Sequence, residues 1–399
     1  MKKQVGVGDV QLSELAKRYV NDVLEGNRLS YGPYSARFEA EFARLHECAY
    51  AVFCNSGTSA LQMALAALKE RHGWRDSDEV LVPATTFIAT SNIVIHNRMQ
   101  PVFVDVTLTD YGMDPEDLAR RVTPRTRVVI PVHLCGLPCS IGPLLDIARR
   151  HGLHVIEDSC ETMFARYHGQ TVGSFGAIGC FSTYVAHLIV TGVGGLATTN
   201  DPDLALTLKS LCNHGRDGIY LKIDDDQGVS RERLFEIVAR RFAFVRVGHS
   251  LRGTEMEAAL GLAQLEERDT MLAARRRNAS ILRAGLADLG DRLTLPPHPA
   301  GRDHAYMMYP LRVSGGAATR QALVNFLEES GIETRDLFPL LTQPIYRRLF
   351  GDLAPRYPVA SELTASGFYV GCHPGMTDAD LAHVIDRFHA FPWPAARPR

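Results

Sequence analysis

The chain has 399 residues, 43 basic against 45 acidic side chains, a net charge of −2, and 46% hydrophobic residues. That length and apolar fraction allow one large layered domain plus a smaller one, and the even charge balance argues against a nucleic-acid partner or an anionic membrane. Six of the basic residues are lysines (Lys2, Lys3, Lys17, Lys69, Lys209 and Lys222), leaving 37 arginines, and clusters such as Arg275-Arg276-Arg277 read as solvated helix faces.

No stretch approaches the roughly 18 consecutive apolar residues of a membrane span. The two N-terminal lysines are followed by no apolar signal region, so a cytoplasmic location is expected. Eight cysteines are scattered without a Cys-x-x-Cys pair, which reads as buried thiols. Cys135 and Cys139 are close together, but no second ligand pair with zinc spacing accompanies them, so no metal is expected.

In chain order, an amphipathic helix over residues 11–25 is broken by Gly26 to Pro33, and a second helix follows over 35–45. Short apolar runs at 49–54, 79–82, 101–106, 128–132 and 154–157 read as buried strands of a mostly parallel sheet. Helical signals at 59–71, 91–97, 114–121 and 141–152 lie between them, an α/β layout. A long helix runs from Thr254 to about Leu286. Beyond it, a strand at 307–313 and helices at 319–330 and 378–388 mark a smaller domain. The expected division is a large domain over 1–265 and a small C-terminal domain over 266–399. The run Asp224-Asp225-Asp226 reads as a solvated loop, because no calcium-loop spacing follows it.

Three segments of the large domain carry chemistry. Asn55-Ser56-Gly57-Thr58-Ser59 is a small, hydroxyl-rich turn between a strand and a helix, where a helix N-terminus can hold a phosphate; helix caps of this composition are also common. Asp158 ends the strand that begins at His154, at the strand end where α/β folds place ligands. Taken alone, it reads equally well as the cap of the next turn. The third segment, Phe181 to Gly195, passes from an apolar strand into a polar, glycine-rich stretch that contains Ser182 and His187. Among the other histidines, His133, His214, His304 and His373 either line a site or satisfy local backbone groups.

Together these segments resemble the DegT/DnrJ/EryC/StrS sugar aminotransferases. Further matches are Gly32-Pro33 through Phe38-Glu39, Val82-Pro83-Ala84-Thr85-Thr86-Phe87, Asn213-His214-Gly215-Arg216 and His373-Pro374-Gly375. The resemblance implies an aspartate aminotransferase-like, fold type I α/β enzyme using pyridoxal 5′-phosphate (PLP) or pyridoxamine 5′-phosphate (PMP). It implies that Gly57, Thr58 and Ser182 bind the phosphate, that Phe87 stacks on the pyridine ring, and that Asp158 pairs with the ring nitrogen. Glu161 and Ser250 are further cofactor positions, and His214 and Arg252 face the substrate. A nucleotide-sugar substrate, glutamate as amino donor and a homodimer with shared sites are implied as well.

The chain departs from the aminotransferase pattern at one decisive place. Where those enzymes carry the lysine that holds PLP covalently, this sequence has His187, and the nearest lysine in sequence is Lys209. Imidazole cannot form that bond, but it can act as a base. This resembles the 3-dehydratase branch of the family. So do Glu161, standing where transaminases commonly have Gln, and the segment from Gly367 to Pro374. The branch implies C3 deoxygenation of a nucleotide-linked 4-keto-6-deoxyhexose, with His187 as base and glutamate restoring PMP. The sister branch that uses an iron-sulfur cluster needs clustered cysteines, which are lacking. Three smaller departures are Ser250 in place of the Asn of the Gly-Tyr-Asn-x-Arg motif, Val193 in place of a glutamate, and Thr183 and Val185 ahead of His187. Two alternatives are an aminotransferase-like enzyme with unusual chemistry and a non-catalytic partner of a true aminotransferase.

Overall fold

The computed structural model describes residues 5–222 and 224–394; Lys2, Lys3 and the rest of the proposed N-terminal segment up to residue 4 lie outside the described residues. Caps decide where the first helices begin. Helix α1 (Glu14–Glu25) starts at Ser13, whose hydroxyl accepts from the Ala16 N–H, and α2 (Pro33–Leu45) starts with a proline in its first position behind Gly32. Both starts differ by two or three residues from those read off apolar periodicity, which carries no information about the cap.

Strands and helices then alternate: β1 (Tyr50–Cys54), α3 (Gly57–His72), β2 (Glu79–Pro83), α4 (Ala89–His96), β3 (Gln100–Val104), α5 (Pro115–Arg121), β4 (Thr126–Val129), α6 (Ile141–His151) and β5 (His154–Asp158). A small hairpin, β6 (Arg166–Tyr167) and β7 (Gln170–Thr171), precedes β8 (Ile178–Ser182) and β9 (Gly195–Thr199). Seven of these strands form one sheet in the order β1-β9-β8-β5-β4-β2-β3. The pairs β2–β3, β2–β4, β4–β5 and β5–β8 are parallel, while β9 runs antiparallel to both of its neighbours. The sheet is therefore mixed. Strands β2 and β8 are buried along their whole length, as the continuous apolar runs of a sheet covered on both faces require.

Helices α7 (Pro202–Cys212) and α8 (Arg231–Arg240) lead to α9 (Glu255–Gly285), which opens with a capping box between Thr254 and Glu257. Buried Glu255 ties its first turn to α2 by accepting from the Gly32 N–H at 2.8 Å, the Ser35 hydroxyl at 2.6 Å and the Tyr34 N–H. Gly32 is needed there, since a Cβ would come within 2.7 Å of that carboxylate.

The remainder is built on β10 (Leu293–Thr294), β11 (Tyr309–Val313), α10 (Gly316–Glu329), β12 (Thr334–Asp336), α11 (Pro344–Phe350), α12 (Pro358–Ser366), β13 (Gly367–Val370) and α13 (Asp378–Ala390). Its four strands pair antiparallel in the order β10-β11-β13-β12. Helix α9 serves both cores. Ala258, Leu262 and Leu265 pack with the large sheet's residues, whereas Ala279 and Leu282 pack with Leu311, Phe368 and Phe388.

Candidate active site

The carboxyl ends of β5 and β8 are neighbours, and the register Asp158↔Cys180 brings Asp158 beside the end that carries Ser182. Asp158 is 4% exposed. Its carboxylate accepts from the Thr90 hydroxyl at 2.7 Å and the Cys160 N–H at 3.2 Å, and Thr90 is in turn bonded to Thr86 at 2.8 Å. Burial raises its pKa above the ordinary aspartate value despite these bonds. Among the described residues it has no ion-pair partner, so it is a buried carboxylate without a counter-cation.

Helix α3 begins against this pair. Ser56 caps it by accepting from the Ser59 N–H at 3.1 Å, and Ser59 donates to Asn55 at 2.7 Å. A Cβ at Gly57 would lie 2.7 Å from both the Cys160 sulfur and the Ser182 Cβ, so only glycine lets the helix N-terminus approach so closely. Gly57 and Ser182 are thereby brought together, with exposed Thr58 one step further along the first turn. Phe87, beyond the end of β2, is 59% exposed.

Past Ser182 the chain folds back on itself. The N–H of Thr183 donates to Gly194 at 2.9 Å, that of Thr191 donates to Thr183 at 2.9 Å, and the two threonine hydroxyls lie 2.6 Å apart. His187 sits in the turn between them. Its N–H donates to the Tyr184 carbonyl at 2.9 Å, and the two rings stand edge to face at 6.0 Å. The side chain is half-buried and its Nδ1 has no partner. Burial, followed by the nearby Arg275 cation, lowers its pKa to about 4, so the imidazole is neutral near pH 7.

Glu161 lies just beyond β5, 7% exposed, and one of its oxygens accepts from the Cys135 N–H at 2.9 Å. Burial pushes its carboxyl up to about 8, which leaves it protonated at neutral pH. Its neighbour Glu157 is used structurally. It accepts from the N–H groups of Gly173, Phe175 and Gly176, each at 2.7 Å. His133 belongs to the same support. Its Nδ1 accepts from the Cys139 N–H at 3.1 Å, which leaves Nε2–H to donate to Glu157 at 3.2 Å.

Three expected site residues stand apart from this cleft. Exposed His214 and Ser250 and half-buried Arg252 form their own group: Arg252 donates to Asn213 and to the Ser250 hydroxyl, both at 3.2 Å, and Asn213 pairs with Ser250. One tie to the cleft is indirect: the Asn55 N–H donates to Leu251 at 2.7 Å. A cavity of about 390 Å³ opens beside this group, lined by Tyr31, Lys209, Lys222 and Arg252 among others.

Several readings need correction. Arg275 is not on a solvated face: it is 5% exposed, while Arg277 pairs with Asp378 at the surface as expected. The signal was available, because Leu272, Ala279 and Leu282 make a buried stripe at helical spacing on which residue 275 falls. The acidic loop is also less free than expected, since Asp224 pairs with Arg28, and Asp225 accepts from the N–H groups of Leu221 and Lys222 at 2.8 Å. Thr90, which bonds to Asp158, ends the family-like run that begins at Val82, but the sequence reading gave it no role. Among the described residues no group of three or more His, Cys, Asp or Glu side chains could hold a metal, and no helix is long and apolar enough to cross a membrane.

The cleft fits PLP on its own chemistry. The unpaired carboxylate of Asp158 suits a protonated ring nitrogen, the capped start of α3 against Ser182 suits a phosphate, and Phe87 offers an uncovered aromatic face.

Residues 10–389 match the DegT/DnrJ/EryC1/StrS aminotransferase family. The chain is 36% identical over 385 residues to a GDP-perosamine synthase of Caulobacter vibrioides, covering 96% of each chain. It is 34% identical over 383 residues to a dTDP-4-dehydro-2,6-dideoxy-D-glucose 3-dehydratase of Saccharopolyspora spinosa, covering 91% of this chain and 81% of the other. A solved structure of the E. coli GDP-4-keto-6-deoxy-D-mannose-3-dehydratase with bound hydrated PLP has a TM-score of 0.86 at 25% identity, covering 97% of this chain and 100% of the other. The fold is the aspartate aminotransferase-like, fold type I architecture, with a mixed seven-stranded central sheet and a small C-terminal sheet.

Proposed function

The chain belongs to the DegT/DnrJ/EryC1/StrS aminotransferase family, and from that premise we propose that it is a dehydratase removing the C3 hydroxyl of a nucleotide-linked 4-keto-6-deoxyhexose. What supports this reading is His187, which stands where the family resemblance calls for the covalent lysine and whose pKa burial lowers to about 4. The four lysines among the described residues lie on α1, α3, α7 and the loop after α7.

When bound, PLP or PMP supplies an electron sink and an amino group for the keto carbon. The chain supplies the rest. Gly57, Thr58 and Ser182 hold the phosphate, Phe87 covers the ring, and ionised Asp158 keeps the ring nitrogen protonated. Glu161, being protonated, can donate a hydrogen bond as the glutamine of transaminases does. His187, unprotonated, accepts a proton from the cofactor's C4′ carbon and returns it to the departing C3 hydroxyl, which leaves as water. Glutamate would be the amino donor. In a homodimer, the group of Ser250, His214 and Arg252 serves the neighbouring subunit's cleft.

The 34% likeness to a 3-dehydratase supports this reading. A second reading, amino transfer to the sugar, is favoured by the 36% likeness to a GDP-perosamine synthase. Incubation with PLP, glutamate and a nucleotide-linked 4-keto-6-deoxyhexose separates the two. The expected product is the 3-deoxy-4-keto sugar; an amino sugar as sole product refutes the dehydratase.

A further inference from the structure

Arg275 is a buried guanidinium with no carboxylate partner among the described residues. Its Nη1 donates to the carbonyls of Met307 at 2.8 Å, Tyr306 at 3.1 Å and Cys372 at 3.3 Å, and its Nη2 donates to the carbonyl of His187 at 3.4 Å. Its Nε has no partner. A buried cation satisfied only by neutral carbonyls is costly, because no opposite charge offsets its desolvation. The placement therefore calls for an explanation beyond packing. The four carbonyls come from both sides of the molecule: His187 from the turn after β8, the others from the segments that enter β11 and leave β13.

The same face of α9 grips the turn a second time. Gln264, eleven residues and about three helical turns earlier, accepts from the Val190 N–H at 2.9 Å and donates to the Val190 carbonyl. The charged and titratable groups around the turn are few. Tyr184 lies within it, Arg275 faces it from α9, and Gly8 packs on Ala186, with Asp9 and His373 beyond. Among the described residues, the Arg275 guanidinium is the charged group whose field lowers the His187 pKa.

We propose that Arg275 is a positioning residue for His187: it ties the turn carrying the imidazole to the small domain, and its unbalanced charge keeps a second cation off that imidazole. The inference rests on the reading of His187 as the base. It gives the buried charge a task, since a base must be both placed and unprotonated before the substrate arrives. Burial lowers the guanidinium pKa to about 10, which leaves it charged at neutral pH.

The test is a pH titration of the His187 ring in the cofactor-free protein, by NMR of ¹⁵N-labelled histidine, with the signal assigned by its loss in H187N. The wild-type midpoint is expected below pH 5. In R275M it should rise by roughly 0.5 pH unit, about a threefold gain in proton affinity, because burial, the larger cause, remains, and R275K should keep it low. An unchanged midpoint in a natively folded R275M overturns the proposal. If R275M does not fold, the wild-type value decides, because a midpoint at 6.5 or above overturns it as well. Failure of the base assignment reads differently: H187N would keep its dehydration rate while R275M still moved the midpoint.

Discussion

Replacing Glu161 with glutamine tests whether the cleft holds a neutral carboxyl. Glu161 is 7% exposed and its pKa is pushed up to about 8 by burial, against an ordinary value of 4.5. Between those two values the folded chain keeps a proton that the unfolded chain has released, so stability falls as pH rises through the window and levels off above it. Across pH 6.5 to 9 the loss attributable to this one group is about 2 kcal/mol. Glutamine cannot ionise, and its amide oxygen can still accept from the Cys135 N–H that Glu161 accepts from at 2.9 Å. The assay is urea or thermal unfolding of the cofactor-free protein from pH 6 to 9.5. E161Q should lie within about 1 kcal/mol of the wild type at pH 6.5, the size of one exchanged hydrogen bond. It should gain on the wild type by about 2 kcal/mol by pH 9. Every other group that titrates in this range is common to both proteins and cancels in the difference. Parallel pH profiles would refute the reasoning and mean that Glu161 is ionised in the folded state.

D158N should weaken PLP binding, followed by its absorbance, at least tenfold, because the counter-charge of the ring nitrogen is lost; the cofactor-free protein should be no less stable, since an unpaired buried carboxylate is removed. Wild-type affinity in D158N would refute the pairing. H187K should develop a PLP absorbance that borohydride fixes to the protein and should lose dehydration, whereas an unchanged spectrum would show that position 187 does not face the cofactor. Phe242 and Val247 are 79% and 93% exposed on the stretch between α8 and α9, a face that the proposed homodimer would cover. F242D with V247D should therefore sediment as a monomer, and a persistent dimer would exclude that face.

The strands from β1 to β5 were legible because each is a short, continuous apolar run, the mark of a sheet buried on both faces. Strand β9 was not: Gly195-Leu196-Ala197-Thr198-Thr199 has little strand propensity of its own and is a strand because β1 and β8 flank it. The candidate site divides in the same way. Asp158 and Ser182 could be placed at strand ends from local pattern, but what each does depends on partners remote in sequence. Thr90 reaches Asp158 across 68 residues, and the Arg275 guanidinium reaches His187 across 88. In Arg275-Arg276-Arg277 the charge of the triplet outweighed its position, although the apolar stripe on either side already assigned the first arginine to the interior. By resemblance, position 187 is where the family pattern calls for a lysine, and the sequence has a histidine there. The fold adds what lowers the pKa of that imidazole: burial of its ring first, and after it the Arg275 cation. A lysine at 187 would meet the same cation and the same burial, which would favour its neutral, nucleophilic amine. The surroundings thus suit either side chain, and under the proposed function the choice between covalent and non-covalent cofactor chemistry falls to the identity of that single residue.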